Sequence, residues 1–387
     1  MKTIYLDNGA TTMVDPKVVQ EMAPYFEEKY GNASSTHHKG QEAKMALEEA
    51  RETIAKSIGA RHDEIIFTSG GTESNNIAIK GIAFANKKKG NHIITTKIEH
   101  DCVLNACKWL ESQGFKVTYL DVDRQGFVNP DALEKAITKS TILVSIIHGN
   151  NEIGTIQDLE ALGKICRKHN VYFHTDACQS YTKTELNVKK QSLDLVTMNS
   201  HKIHGPKGVG ALYIRNGVKI TPLLHGGGHE HNLRSGTENV SGIIGFAKAV
   251  KMTSSGHVRQ MRKLRDYLIE NVLKIPETML NGTVGDKRLC NNANFSFKYV
   301  EGESIGAYLD AKGICTSTGS ACSSRSLEPS HVLIAIGLKP EEAHGSLRIT
   351  LSRFTSKEEI DTLLKVLPGI IEKLRKMSPL ADAGSGW

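Results

Sequence analysis

The chain has 387 residues, 39% of them hydrophobic and 24% charged, with a net charge of +7; that is enough to bury a large core and to divide into two domains, with the composition of an ordinary globular protein. No 18-residue apolar span occurs and Met1-Lys2-Thr3 leads straight into Ile4-Tyr5-Leu6 without a signal-like segment, so a cytoplasmic protein without a membrane partner is expected. The Lys and Arg residues are spread along the chain rather than gathered in one arm, so no direct nucleic-acid partner is expected despite the positive charge.

In chain order, residues 41–58 place Ala43, Ala46, Leu47, Ala50, Ile54 and Ile58 at helical spacing, with Gly59 as a stop. A short apolar strand at 64–68 runs through Ser69-Gly70-Gly71-Thr72-Glu73 into a helix-compatible stretch at 74–88. Further strand-like runs follow at 92–98, 115–122, 141–148, 171–175, 193–198 and 210–214, mostly separated by helix-compatible segments. Their continuous rather than alternating hydrophobicity predicts an α/β fold, with a mostly parallel seven-stranded sheet between helices. A long helix at about 257–273 leads to a strand at 292–297, a helix at 302–312 and a strand at 345–351, a smaller α+β C-terminal domain. The expected division is 15–257 for the large domain and 258–387 for the small one.

Three elements carry chemistry. Gly70-Gly71-Thr72 between a strand and a helix is a phosphate cup: glycine lets the backbone approach an anion, free N–H groups of the first helical turn point at it, and a Thr hydroxyl adds a donor. No GxxxxGK[ST] or GxGxxG occurs near it, which favours one small phosphate over a nucleotide. Asp176 stands where the run Val171 to Thr175 stops; a carboxylate there can pair with a protonated pyridine nitrogen, although helix capping would use the same residue type. The turn Asn199-Ser200-His201-Lys202, before His204-Gly205-Pro206-Lys207-Gly208, offers a lysine suited to capturing an aldehyde if its amine is desolvated. Cup, acid and lysine together are what a pyridoxal 5'-phosphate enzyme requires.

At this point the chain resembles the cysteine desulfurases of the NifS/IscS type, class V within the type I pyridoxal-phosphate fold. The resemblance runs from Tyr5 to about Pro379 and is carried by Asp7-Asn8-Gly9-Ala10-Thr11-Thr12, Gly31-Asn32-Ala33-Ser34-Ser35, His148-Gly149-Asn150-Asn151-Glu152-Ile153-Gly154, His174-Thr175-Asp176-Ala177-Cys178-Gln179-Ser180, His225-Gly226-Gly227-Gly228-His229-Glu230 and Ser317-Thr318-Gly319-Ser320-Ala321-Cys322-Ser323-Ser324. It implies that Lys202 holds the cofactor, Asp176 pairs with its ring nitrogen and His100 stacks on the ring and shuttles a proton. Gln179 and Asn151 would complete the ring contacts, Gly71, Thr72, Ser200 and His201 would serve the phosphate, and Thr237 would reach it from a second subunit. Arg348 would bind the substrate carboxylate, with Asn151 beside it; a planar guanidinium suits that task.

Cys322 separates a desulfurase from a plain aminotransferase. It lies in a run of small hydroxylated residues and glycine, without the apolar neighbours of a buried structural cysteine. The implied reaction takes sulfur from L-cysteine, leaving alanine and a persulfide on Cys322. A selenocysteine lyase or aminotransferase of the same fold, for which Cys322 would be dispensable, is the alternative, and a non-catalytic scaffold lacking the cofactor is a third.

The resemblance further implies a homodimer, residues 1–14 packed on the small domain, and sulfur acceptors such as an iron-sulfur scaffold protein or a tRNA-thiolation sulfur carrier. Transient iron-sulfur ligation by Cys322 with a scaffold belongs to the same expectation. The tail after Pro379 is shorter than in relatives, which predicts weaker scaffold docking, and Asn199 stands where relatives carry a serine. Gly71 and Gly149 replace bulkier residues, which predicts looser surroundings for the cofactor. The seven cysteines, Cys102, Cys107, Cys166, Cys178, Cys290, Cys315 and Cys322, contain no Cys-x-x-Cys pair, and glycines separate His225 from His229, so neither a disulfide framework nor a metal site is expected.

Overall fold

The computed structural model describes residues 3–318 and 328–378. Its strands are β1 (Ile4–Tyr5), β2 (Ile65–Thr68), β3 (His92–Thr96), β4 (Lys116–Leu120), β5 (Thr141–Ser145), β6 (Tyr172–Asp176), β7 (Leu195–Asn199), β8 (Gly210–Ile214), β9 (Thr278–Leu280), β10 (Asn292–Phe297), β11 (Ile314–Cys315) and β12 (Ser346–Thr350). Seven form one sheet in the order β2-β8-β7-β6-β5-β3-β4. The neighbours from β7 through β6, β5 and β3 to β4 are parallel. β8 alone runs the other way, antiparallel to β7 and to β2.

Both faces of this sheet are covered, and the sequence is apolar without alternation for that reason. β3, β5, β7 and β8 are buried at every residue. Helices Gly71–Asn86 and Asp101–Ser112 close one face through Ile77, Ile82, Val103 and Leu110. Helices His38–Ser57, Leu159–Lys168 and Val240–Lys251 close the other through Leu47, Ile54, Leu162 and Phe246. Each such side chain, fully buried, contributes roughly 1.5–3 kcal/mol relative to exposure.

Hydrophobicity overran the strand ends. The expected strand at 92–98 stops at Thr96 and that at 141–148 at Ser145, because Ile98 and Ile147 are apolar for another purpose: they pack with Ile153, Val332 and Leu333 in a separate cluster. Glu64 belongs to a short turn before β2. The helix expected from 74 begins at Gly71, immediately after the glycine pair.

β12, β10 and β9 make an antiparallel three-stranded sheet. Helices Ser255–Val272, Gly302–Asp310 and Lys357–Met377 pack on it around Phe295, Phe297, Leu268, Leu309 and Leu363. The chain start joins this unit: β1 pairs in parallel with β11, and Leu6 is buried in its core. From there residues 7–12 cross to the large sheet, where the Thr12 N–H donates to the His201 carbonyl at 3.0 Å. This crossing brings both units to one place.

Candidate active site

The parallel strands end at one edge, where ligands bind in open α/β sheets. Asp176 is the last residue of β6, and the turn carrying Lys202 follows β7. His100 follows β3 as the cap of helix Asp101–Ser112, and Asn151 follows β5.

Lys202 is partly buried. Its Nζ donates to the Gly9 carbonyl and to the Ala10 carbonyl at 2.8 Å. Burial, seconded by the Arg348 charge, pushes its ammonium down to about 8, so the neutral, nucleophilic form is accessible near neutral pH. Gln179 shares the same anchor, donating from Nε2 to the Gly9 carbonyl at 2.8 Å. His201 meets the Thr11 hydroxyl through Nδ1 at 3.1 Å, and burial pushes it down to about 4, leaving a neutral ring.

Asp176 is held from two sides. Asn75 Nδ2 donates to its Oδ2 at 2.7 Å, and the Cys178 N–H donates to Oδ1 at 2.8 Å. The same Asn75 amide lies 3.1 Å from Cys102 Sγ, which is itself 3.1 Å from His100 Nδ1. The Cys102 N–H donates to that Nδ1 at 3.2 Å. An acceptor Nδ1 leaves Nε2 to carry the proton of the neutral ring. Burial pushes the Cys102 thiol up to about 12, with Asp176 acting in the same direction, while Thr72 bonds to it.

The first turn of helix Gly71–Asn86 opens beside Asn199 and Cys178. A Cβ at position 71 would lie 2.5 Å from Cys178 Sγ, and one at position 149 would lie 2.9 Å from Leu289 and 3.0 Å from Ser180. The looser surroundings expected from Gly71 and Gly149 are therefore absent: neighbouring side chains already occupy the space. Asn199 Oδ1 there, and Ser200 Oγ against Gly205, are buried without a hydrogen-bond partner among the described residues. Such groups are costly unless something completes them. An aldehyde-bearing ligand with a basic ring nitrogen and an anionic group fits the amine, the acid and the free N–H groups of this helix start.

Arg348 on β12 faces the same space. It is buried, with one guanidinium nitrogen 3.0 Å from Asp7 Oδ1 and the other 3.1 Å from the Asn151 carbonyl. Its Nε and the Asn151 Oδ1 are buried without partners among the described residues. Cys322 lies outside the described residues. Thr237 is exposed and, among the described residues, makes no side-chain bond to those around Lys202, Asp176 or Arg348. The segment before it is rigidly placed: buried Glu230 accepts from Arg51 at 2.7 and 2.9 Å and from the Phe67 N–H at 2.7 Å. Removing one partner of such a buried pair costs about 3–5 kcal/mol.

The structure thus brings Lys202, Gln179 and His201 together on residues 9–11, and links Asp176 to His100 through Asn75 and Cys102. Asn75, Asp7 and Cys102 were not singled out from the sequence. Asn75 lies one turn into a helix already expected there, but an asparagine in a helix carries no local sign that it faces a carboxylate.

The sequence matches the family described as Aminotransferase class-V over residues 4–363. It is 56% identical over 382 residues to the protein called Cysteine desulfurase IscS from Dictyoglomus turgidum, covering 98% of this chain and 97% of that one. The protein of the same name from Methanosarcina thermophila is 54% identical, with 98% and 94% covered. A solved structure described as a NifS-like protein superposes with a TM-score of 0.90 at 40% identity, over 96% of this chain and 100% of the other. Another, SspA in complex with cysteine, gives a TM-score of 0.82 at 38% identity, over 92% and 100%.

Proposed function

The chain belongs to the aminotransferase class-V family, and from that membership and the site's geometry we propose that it is a cysteine desulfurase, taking sulfur from L-cysteine, releasing alanine and holding the sulfur as a persulfide on Cys322. The observation that carries the reading is the desolvated Lys202 amine on the turn after β7, with Asp176, an acid that two donors hold in place, ending the neighbouring strand β6. Pyridoxal 5'-phosphate fits this set, and when bound it supplies an electron sink conjugated to the substrate amine.

The residues then divide the work. With that group bound, Lys202 would take the α proton on Nζ, Asp176 would hold the proton of the ring nitrogen, and His100 would face the ring and exchange protons through Nε2. Gly71, Thr72, Ser200 and His201 receive the phosphate at the helix start, with Asn199 adding an amide. Arg348 and Asn151 take the substrate carboxylate. The Cys322 thiolate attacks the substrate sulfur: a sulfur–sulfur bond forms, the carbon–sulfur bond breaks, and its electron pair stays on carbon, which gains a proton to become the methyl of alanine.

The enzyme works as a homodimer in which Thr237 reaches the phosphate of the other subunit's site. Its exposure and the fixed segment around Glu230 support this. Sulfur passes to an acceptor such as an iron-sulfur scaffold protein or a tRNA-thiolation carrier, in the cytoplasm. Among the described residues no helix is long and apolar enough to cross a membrane. The large domain ends at 257 and the small one begins at 258, within the helix Ser255–Val272.

The test is release of sulfide and alanine from L-cysteine with a reductant, comparing wild type with Cys322→Ala and recording both visible spectra. Two yellow proteins of which only the wild type releases both products are expected. Full activity in Cys322→Ala would instead make the enzyme a lyase or aminotransferase, and a colourless, inactive wild type would point to a scaffold.

A further inference from the structure

A second lysine is buried behind Lys202, and the chemistry above does not use it. Lys183 is 8% exposed, and its Nζ donates to the Gln179 carbonyl at 2.8 Å. No carboxylate pairs with it among the described residues. Gln179 in turn donates to the Gly9 carbonyl, the group that receives Lys202 Nζ. Lys183 and Lys202 also line one small cavity. Three hydrogen bonds and a shared wall therefore connect the buried Lys183 amine to the reacting amine.

We propose that Lys183 is a positioning residue for Lys202: it fixes Gln179, and through it the Gly9 carbonyl, while its charge faces the Lys202 amine across their common cavity. The proposal rests on the reading of Lys202 as the cofactor-bearing residue. Burial pushes the Lys183 ammonium down to about 8, so below that pH it places a positive charge in this cavity without a carboxylate beside it among the described residues, a desolvation that an ordinary structural contact does not require. Its sign is favourable for the reaction, because one positive charge disfavours a second on Lys202 Nζ.

The other groups nearby do not cancel it. His204, His257 and Arg353 share the inner cavity. On the outer side Lys183 lines a cleft with Glu185, Arg259, Arg262, Asp286, Arg288 and Cys290. Glu185 is engaged by Lys190 at 3.0 Å and Asp286 by Arg262 at 2.5 Å. Cys178 also faces it, but burial pushes the Cys178 and Cys290 thiols up, so they stay neutral.

The experiment is a pH titration of the visible absorbance of the cofactor-loaded, full-length protein, with thermal melting followed in parallel. Lys183→Gln keeps a polar group without the charge, Lys183→Met keeps the length without either, and Lys183→Arg keeps the charge. The midpoint of the spectral change is expected to move to higher pH in whichever neutral variant folds, and to stay near the wild-type value in Lys183→Arg. A purely structural lysine would lower the melting temperature and leave the midpoint in place; that result in Lys183→Gln or Lys183→Met overturns the proposal. A wild type with no visible band removes the cofactor reading itself, and this proposal with it.

Discussion

Ser317 and Arg348 exchange two backbone hydrogen bonds, Ser317 N–H to the Arg348 carbonyl at 3.3 Å and Arg348 N–H to the Ser317 carbonyl at 2.7 Å. The run that carries Cys322 therefore departs from the backbone of the residue assigned to the substrate carboxylate. Its far side is tied too: Ser330 Oγ donates to Glu152 Oε2 at 2.5 Å, one residue beyond Asn151.

Arg348→Lys should weaken L-cysteine binding. An ammonium cannot span Asp7 and the Asn151 carbonyl as the guanidinium does, and a charged hydrogen bond contributes about 1.5–3 kcal/mol. Initial rates of alanine formation should show kcat/KM reduced roughly 10- to 100-fold, chiefly through KM. A loss confined to kcat would place the carboxylate elsewhere.

Capture of pyridoxal 5'-phosphate by the cofactor-free protein should follow the state of Lys202. Burial pushes its ammonium down to about 8 from the ordinary 10.5. Only the neutral amine attacks an aldehyde, so the capture rate should rise with pH up to about 8 and level off above it. Stopped-flow absorbance measures this directly; a rate still climbing toward pH 10 would mean an ordinary, solvated lysine.

Gly71→Ala should destabilise the protein by about 1–3 kcal/mol, the usual range for overpacking, because its Cβ would meet Cys178 Sγ at 2.5 Å. Cys178→Ala removes that sulfur. Urea unfolding of both single variants and the double variant, all in the same cofactor state, should show the double variant recovering most of the Gly71→Ala loss. Simple additivity would show that another contact limits position 71.

The sequence by itself determined the sheet and the order of its chemical elements. Strands buried on both faces are written as unbroken apolar runs, and a glycine pair before a helix, an acid ending a strand and a lysine in the next turn are local signals. Strand ends were less legible, since Ile98 and Ile147 are apolar for a packing role outside the sheet. The one exception to the mostly parallel sheet was not legible: β8 is buried like its neighbours yet runs antiparallel, because burial constrains the faces of a strand and not its sense.

Only the tertiary structure decided which polar residues complete the site. Asn75 meets Asp176 across 101 positions and Asp7 meets Arg348 across 341, separations at which no spacing rule operates. Lys183 carries no sign of burial in the sequence and is enclosed only by segments distant in the chain, Val258 and Met261 on one side and Arg288 and Cys290 on the other. Gly71 and Gly149 suggested empty space, but whether space is empty depends on side chains from other segments. Residue type announces what a group can do; its partners, and hence its proton affinity and orientation, are set by contacts that chain proximity does not encode.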